Sequence, residues 1–144
     1  WPVFAGRPTA ILLDGWCLGA MPDEAAALSV PVNDLEREQD PDGLWRRAVN
    51  DELAGPYRNL FAGFDALLFL CAPAFEVVLD WRCEQEVGLM GLAAADLPAT
   101  ERDRLAGFIG YFERITRAMI AGWIVADGVM LLDRDRRVIG IVPD

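Results

Sequence analysis

Apolar runs alternate with helical patterns along this chain. Short runs rich in apolar and β-branched residues predict four strands, over residues 9–16, 66–72, 128–132 and 138–142. Helical spacing fills the stretches between the first three runs, an alternation typical of βα units on a mostly parallel sheet. Only "DRDRR" separates the last two runs, so we predict an antiparallel hairpin at the sheet edge. The pattern predicts one α/β domain over residues 1–144.

The helical stretches carry recognisable start and stop signals. The first is predicted to open at "DPDG", where Asp40 can cap and Pro41 suits the first turn, and to break at Gly55-Pro56. The second follows Pro73, and the third follows a capping sequence at residues 100–103. Residues 21–41 lack periodicity, so we predict a long loop there, of a length that is often functional.

The first predicted strand ends in a carboxylate. In "AILLDGWCLGA" an apolar run delivers Asp14 to the carboxyl end of a predicted parallel strand, where open α/β sheets keep their ligands. The alternative interpretation is that Asp14-Gly15 only turns the chain, because this dipeptide favours turns.

The second predicted helix contains an arginine on an apolar stripe. Phe75, Leu79, Arg82 and Glu86 follow one another at helical spacing, so a guanidinium and a carboxylate continue the apolar face. In one interpretation Arg82 pairs with Glu86 and reaches solvent at the helix end. In the other, Arg82 faces a cleft and receives a phosphate group, for which its planar fork is suited.

Composition excludes several function classes. All 13 basic residues are Arg, and the absence of Lys and His excludes a histidine base, a Schiff-base lysine and a histidine zinc site within this sequence. A net charge of −10 argues against binding to nucleic acid or to an anionic membrane. Cys17, Cys71 and Cys83 have unrelated spacings, so we expect reduced thiols in a cytoplasmic protein.

Four segments together resemble one family. They are "ILLDGWCLGA", "PVNDLEREQDPDGLWRRAVNDEL", "FDALLFLCAPAFEVVLDWRCEQE" and "YFERITRAMIAGWIVADGVMLLDRDRRVIGI". They resemble the C-terminal half of the D-glycerate 3-kinase family, P-loop kinases related to uridine kinase, phosphoribulokinase and pantothenate kinase. The resemblance covers nearly the whole chain. It implies a P-loop NTPase-like, mostly parallel sheet flanked by helices, and ATP-dependent phosphorylation of a small hydroxy acid with Mg²⁺.

The resemblance also implies roles for particular residues. Asp14 is similar to the acid that holds Mg²⁺, whereas Arg82 lies in a lid-like helix and would stabilise the transferred charge, with Gln85 and Glu86 positioning it beside ATP. The acceptor pocket would be lined by Asn33, Glu36, Arg46 and Asn50. For Arg46 and Asn50, which lie one helical turn apart, a solvated polar face is the alternative. We expect Arg114 and Arg117 to be ordinary surface charges.

The sequence departs from the family at one decisive point. A phosphate-binding loop of the form G-x-x-x-x-G-K-[ST] needs a lysine, and this sequence has none. We therefore expect either the rear portion of a longer kinase, whose missing N-terminal segment carries the P-loop and the catalytic base, or a P-loop-less binding module without catalysis. A sheet without its P-loop strand would expose an apolar edge and face, which favours the longer kinase, whereas the binding module predicts a homodimer that covers this surface.

Overall fold

A three-stranded mixed sheet lies at the centre of the fold. The computed structural model describes residues 3–91, 93 and 97–143. Strands β1 (Leu68–Cys71) and β2 (Gly128–Leu132) are parallel, and β3 (Val138–Pro143) runs antiparallel to β2, in the order β1-β2-β3. These strands confirm three of the four predicted runs, the parallel crossover and the edge hairpin. The fold class is therefore α/β, with a small sheet.

The hairpin turn between β2 and β3 is held by one carboxylate. The side chain of Asp133 accepts hydrogen bonds from the backbone N–H groups of Asp135 and Arg137, at 2.9 and 2.8 Å. Arg136 adopts a left-handed backbone conformation, with φ of 63°, which is uncommon for a residue other than glycine. The "DRDRR" segment is thus a tight polar turn, as predicted.

The predicted strand over residues 9–16 is wrong. This segment forms no strand, and the side chains of Ile11 and Leu12 are 85% and 95% exposed. An apolar run becomes a strand only where a neighbouring strand accepts its backbone hydrogen bonds, and the described part of the chain supplies none beside it. The end of the segment is nevertheless fixed: Trp16 stacks on Phe112 at 4.8 Å between ring centroids and donates a hydrogen bond to Thr116.

The described residues form six α-helices. They are α1 (Asp34–Gln39), α2 (Leu44–Glu52), α3 (Arg58–Phe61), α4 (Glu76–Met90), α5 (Ala99–Gly110) and α6 (Glu113–Ile120). A 3₁₀ turn (Ala27–Ser29) and α1 occupy part of residues 21–41, so the prediction of a structureless loop there is wrong. No helix among the described residues is long and apolar enough to cross a membrane.

The interruptions of the helices have identifiable causes. A π-helical turn (Leu53–Tyr57) containing Pro56 separates α2 from α3, which confirms the predicted break. The predicted third helix is two helices, α5 and α6, because the chain leaves regular helical geometry at Tyr111 and Phe112. The core face nevertheless continues across the break, because Ile115 and Met119 of α6 belong to the core.

The core is formed by helices packed against one face of the sheet. Leu53 and Met119 are buried with Ala20, and Phe69 of β1 packs against them. Helices α4 and α5 pack together and bury apolar residues of their own. Burial of such side chains supplies most of the driving force for folding. Core contacts thus bring α6 to β1, beside which the main cleft opens.

Candidate functional site

A large cleft opens beside the free edge of β1. Its volume is about 1460 Å³, and its walls come from residues 11–18, residues 63–70 and one face of α4. Many of its wall residues are apolar and exposed, among them Leu12, Leu68 and Leu70. The volume exceeds the roughly 300–1,000 Å³ of ordinary ligand pockets. The cleft therefore has room for more than a small ligand.

Asp14 lies in this cleft. The side chain is exposed at the end of the apolar segment, immediately before the turn that Trp16 fixes. Asp65, in the turn before β1, borders the same cleft and is a second carboxylate that sequence reasoning missed. Its signal in the sequence is its place directly before a predicted strand. Oxygen ligands of this kind suit Mg²⁺, which takes one or two carboxylates and fills its other positions with water or phosphate oxygens.

Helix α4 presents a face with both apolar and polar side chains to the cleft. Val78, Trp81, Arg82 and Gln85 border it at helical spacing, and this placement agrees with the interpretation in which Arg82 faces a cleft. The inward face of α4 is a different one, formed by its buried residues Val77, Cys83 and Val87. The expectation that Arg82 continues an inward apolar stripe is therefore wrong.

Neighbours on α4 hold the Arg82 guanidinium. Its Nη1 donates to Oε1 of Gln85 at 2.5 Å, and its Nη2 lies 3.4 Å from Oε2 of Glu86. The side chain of Arg82 is 29% exposed and that of Glu86 is 14% exposed. The pairing of Arg82 with Glu86 is thus present, and it leaves the guanidinium accessible from the cleft. Arg82, Gln85 and Asp14 share one cleft, whereas Glu86 does not line it and contacts Arg82.

Two of the predicted acceptor residues, Glu36 and Arg46, lie elsewhere, in a closed ionic cluster with Asp40 and Arg114. The guanidinium of Arg46 lies 3.2 Å from Oε2 of Glu36 and 3.4 Å from Oδ2 of Asp40. Arg114 donates to both oxygens of Glu36, at 2.9 and 2.7 Å. Glu36, Asp40 and Arg46 are each 5% exposed or less. In such surroundings each charge needs the others, because a buried unpaired charge is strongly unfavourable.

Two asparagines tie this ionic cluster to its neighbours. Asn33 caps α1 by accepting a hydrogen bond from the N–H of Glu36, and its amide donates to the carbonyl of Gly110 at 2.9 Å. Asn50 clamps the backbone of Asp23, accepting from its N–H at 2.7 Å and donating to its carbonyl at 3.2 Å. The solvated face considered for Arg46 and Asn50 is therefore wrong.

The predicted acceptor residues come together without an open pocket. A cavity beside Arg46 and Asn50 has a volume of about 20 Å³, enough for roughly one water molecule. The binding of an acceptor by Asn33, Glu36, Arg46 and Asn50 remains a prediction. Most of their polar atoms are hydrogen-bonded within the protein, whereas the buried Nε of Arg46 has no hydrogen-bond partner among the described residues and lies 3.4 Å from Oδ2 of Asp40.

Arg114 is the cluster residue that sequence reasoning missed. Expected to be a surface charge, it is only 12% exposed and also donates to the carbonyl of Val30 at 2.6 Å. The error has a long-range cause, because Glu36 of α1 and the carbonyl of Val30, both distant in sequence, lie against the Arg114 guanidinium. Arg117 is 44% exposed and pairs with Glu76 and Glu113, so its expected place at the surface is confirmed.

Hydrogen bonding decides the protonation of the cluster carboxylates. Burial raises the pKa of Glu36, but hydrogen bonds from Arg114 and from the Val32 N–H, with the charge of Arg114, outweigh burial and hold that pKa below its ordinary value. The pKa of Asp40 is likewise lowered, because the backbone N–H groups of Trp45 and Arg46 and the charge of Arg46 outweigh its burial. Both groups are carboxylates at neutral pH.

The three cysteines are free thiols, as predicted. Burial raises the pKa of Cys17 to about 11, so this thiol, at the cleft wall, is a poor nucleophile at neutral pH. Among the described residues, no group of three or more His, Cys, Asp or Glu side chains converges to hold a metal ion. Comparisons of the chain with protein-family models, with curated proteins and with solved structures find no match.

Proposed function

We propose that this chain is the lid-bearing part of an ATP-dependent kinase that phosphorylates D-glycerate or a similar small hydroxy acid. The observation that carries the proposal is that Asp14, Arg82 and Gln85 line one cleft, although about 70 residues separate Asp14 from the other two in sequence. These are the residues to which the family resemblance gives the metal and lid roles. A P-loop NTPase-like fold is part of the same proposal.

The residues at the cleft fit a magnesium nucleotide. Bound there, Mg²⁺ would neutralise phosphate charge, and ATP would supply the transferable phosphoryl group. Asp14, with Asp65 nearby, is the residue that would hold the metal, because an exposed carboxylate leaves room for the waters and phosphate oxygens that Mg²⁺ retains. Phosphoryl transfer depends mainly on positioning and electrostatic stabilisation, which side chains of this kind supply.

In this proposal Arg82 stabilises the charge of the transferred group. Its guanidinium is permanently charged, forked and accessible from the cleft, and Gln85 and Glu86 restrict its rotamers. A cation already held in position loses little conformational entropy when phosphate arrives, so more of its attraction is available for the transition state. Glu86 is thereby a positioning residue.

The apolar walls of the cleft support a kinase completed by a further segment. The edge of β1 has no strand partner among the described residues, and Leu68 and Leu70 on it are 55% and 58% exposed. Because the sequence contains no lysine, the phosphate-binding loop must come from chain outside it. A strand entering the cleft between residues 11–18 and β1 would cover the apolar walls and place such a loop beside Asp14. The catalytic base would come from that segment too.

The test begins with the protein from its natural source. An intact mass well above 15.9 kDa is expected, followed by D-glycerate-dependent formation of ADP that requires Mg²⁺. Asp14→Asn should raise the Mg²⁺ concentration needed for half-maximal rate, with Asp51→Asn, on the exposed side of α2, as the matched control. Normal Mg²⁺ dependence in Asp14→Asn would contradict the proposal that Asp14 holds the metal.

The exposed apolar edge also fits a second candidate, a binding module derived from the same fold. Exposed strands such as β1 pair with other chains, and two copies could cover each other's edges. A source protein of 15.9 kDa that sediments as a dimer and forms no ADP would favour this candidate over the kinase.

A further inference from the structure

A tryptophan of α4 and an arginine of the β2–β3 turn meet at the cleft. The guanidinium carbon of Arg136 lies 5.6 Å from the centroid of the Trp81 ring, and both residues border the cleft. We expect tryptophans on apolar stripes of this sequence to be core anchors. Trp81 departs from that expectation, because it lies on the cleft face of α4 beside Arg82.

Both partners are held in place by contacts outside the cleft. The indole N–H of Trp81 donates to the carbonyl of Arg134 at 2.7 Å, and Arg136 pairs with Glu84 at 2.5 Å between Nη2 and Oε2. The left-handed backbone of Arg136 fixes the direction in which its side chain leaves the turn. Backbone conformations of this kind in non-glycine residues are concentrated at functional sites.

We propose that Trp81 and Arg136 form the wall on which the base of the nucleotide stacks. This inference rests on the proposed function and names the place of one part of its substrate. The guanidinium and the indole are both planar groups, and aromatic bases stack on the faces of such groups. The Arg136 side chain is 49% exposed, so it remains open to a ligand. Val78, one turn before Trp81, adds an apolar neighbour suited to a heteroaromatic ring.

The surroundings of Arg136 and Arg82 suit these two arginines to different parts of a nucleotide. Arg136 lies against an aromatic ring and its charge is offset by Glu84, so stacking is the interaction it offers best. Among the described residues no aromatic ring lies beneath Arg82, and Gln85 and Glu86 hold its side chain. Its forked guanidinium is therefore suited to phosphate oxygens. Trp81 and Arg82 are consecutive residues, which places the base wall next to the phosphate site on α4.

The experiment measures three ligands by titration calorimetry on the protein from its complete reading frame: adenosine, tripolyphosphate and ATP. Arg136→Asn removes the planar cation while suiting the left-handed backbone, and Arg136→Lys keeps the charge without the flat group. Arg137→Asn is the matched control, because Arg137 lies in the same turn and is 77% exposed.

We expect both Arg136 variants to weaken adenosine and ATP about tenfold, the order of one lost stacking contact, and to leave tripolyphosphate unchanged. Arg82→Ala should show the opposite pattern, and Arg137→Asn should match the wild type. Unchanged adenosine binding in Arg136→Asn, or an equal loss for tripolyphosphate, would overturn the base wall.

The proposed activity can fail separately. If the wild-type protein binds adenosine through Arg136 but phosphorylates no hydroxy acid, the base-stacking proposal is supported and the kinase proposal is contradicted. If the Arg136→Asn variant phosphorylates D-glycerate with normal ATP affinity, the kinase proposal is supported and the base-stacking proposal is contradicted. Wild-type protein that binds none of the three ligands would overturn both.

Discussion

The chain contains two groups of charged residues that the sequence does not distinguish and the structure separates. In the ionic cluster, Glu36 and Arg46 are 3% and 4% exposed and their partners belong to the protein. In the cleft, Asp14 and Arg82 face an opening of about 1460 Å³. The charges of the first group are enclosed with their counter-charges, whereas those of the second border an open cleft.

From this difference we expect the residues of the ionic cluster to affect stability and the charged residues of the cleft to affect activity. A charge enclosed with its counter-charges is expensive to disturb, since removing one partner leaves the others desolvated and unpaired. A charge at the cleft is solvated when its partner is removed, so its loss costs little stability. Variants of the two groups should therefore have opposite consequences, and each of the predictions below tests that contrast.

The largest effect is expected from Glu36→Ala. This change leaves Arg46 and Arg114 buried without their shared carboxylate, which should lower the free energy of unfolding by about 3–5 kcal/mol. Urea denaturation monitored by circular dichroism measures it. Glu38→Ala, on the exposed side of the same helix, is the control and should change it by less than about 0.5 kcal/mol. Equal effects of the two changes would contradict a structural role for the cluster.

Arg82→Ala should give the converse result. Loss of one donor that stabilises transferred charge lowers kcat by about 10²–10³-fold, while thermal stability stays within a few degrees of wild type. Steady-state kinetics with D-glycerate, together with a melting curve, measure both quantities. Arg37→Ala, at an exposed position of α1, serves as the matched arginine variant and should retain full activity. A large loss of thermal stability in Arg82→Ala would contradict the prediction that a charge at the cleft contributes little to stability.

Acid should unfold the protein through the ionic cluster. The pKa values of Glu36 and Asp40 lie below their ordinary 4.5 and 3.8, so the unfolded chain binds these protons more tightly than the folded protein does. Their stabilisation is present above about pH 4.5 and is lost as the pH falls through the folded pKa values. Melting temperatures between pH 7 and pH 3 measure this loss. The slope should be shallower in Glu36→Gln, and an identical slope would exclude Glu36 as its source.

The smallest effect is expected at the surface pair of Arg37 and Asp34. Their side chains are 59% and 81% exposed, and an exposed pair within one helix contributes at most about 0.5 kcal/mol. A double-mutant cycle with alanine at both positions, measured in urea, gives the coupling. A coupling comparable with that between Glu36 and Arg46 would contradict the view that burial makes the difference.

Much of the fold could be predicted from the sequence because local patterns determine it. The β2 and β3 runs, the polar turn between them and the break at Pro56 depend on propensity and turn chemistry within a few residues. The segment over residues 9–16 could not be predicted in this way. Its apolar pattern is that of a buried strand, but a strand also needs a neighbour, and periodicity does not reveal whether one is present.

The candidate site was predictable only in part, for a related reason. The sequence indicated Asp14 and Arg82 individually, but the cleft that they share is lined by segments about 70 residues apart in sequence, which no local pattern reveals. Arg114 was misjudged because its burial depends on Glu36 and Val30, residues far from it in sequence. The polar turn over residues 133–137 did not single out Arg136, since a turn arginine looks the same whether or not a tryptophan lies beneath it.

The measurement that tests the central claim most directly is the rate of ADP formation that depends on D-glycerate, for the full-length wild-type protein and for Arg82→Ala side by side. We expect turnover by the wild type and a loss of about 10²–10³-fold in the variant at unchanged melting temperature. Equal rates in the two proteins would contradict the assignment of the cleft as the site of phosphoryl transfer. No turnover by the wild type with any small hydroxy acid would contradict the kinase itself.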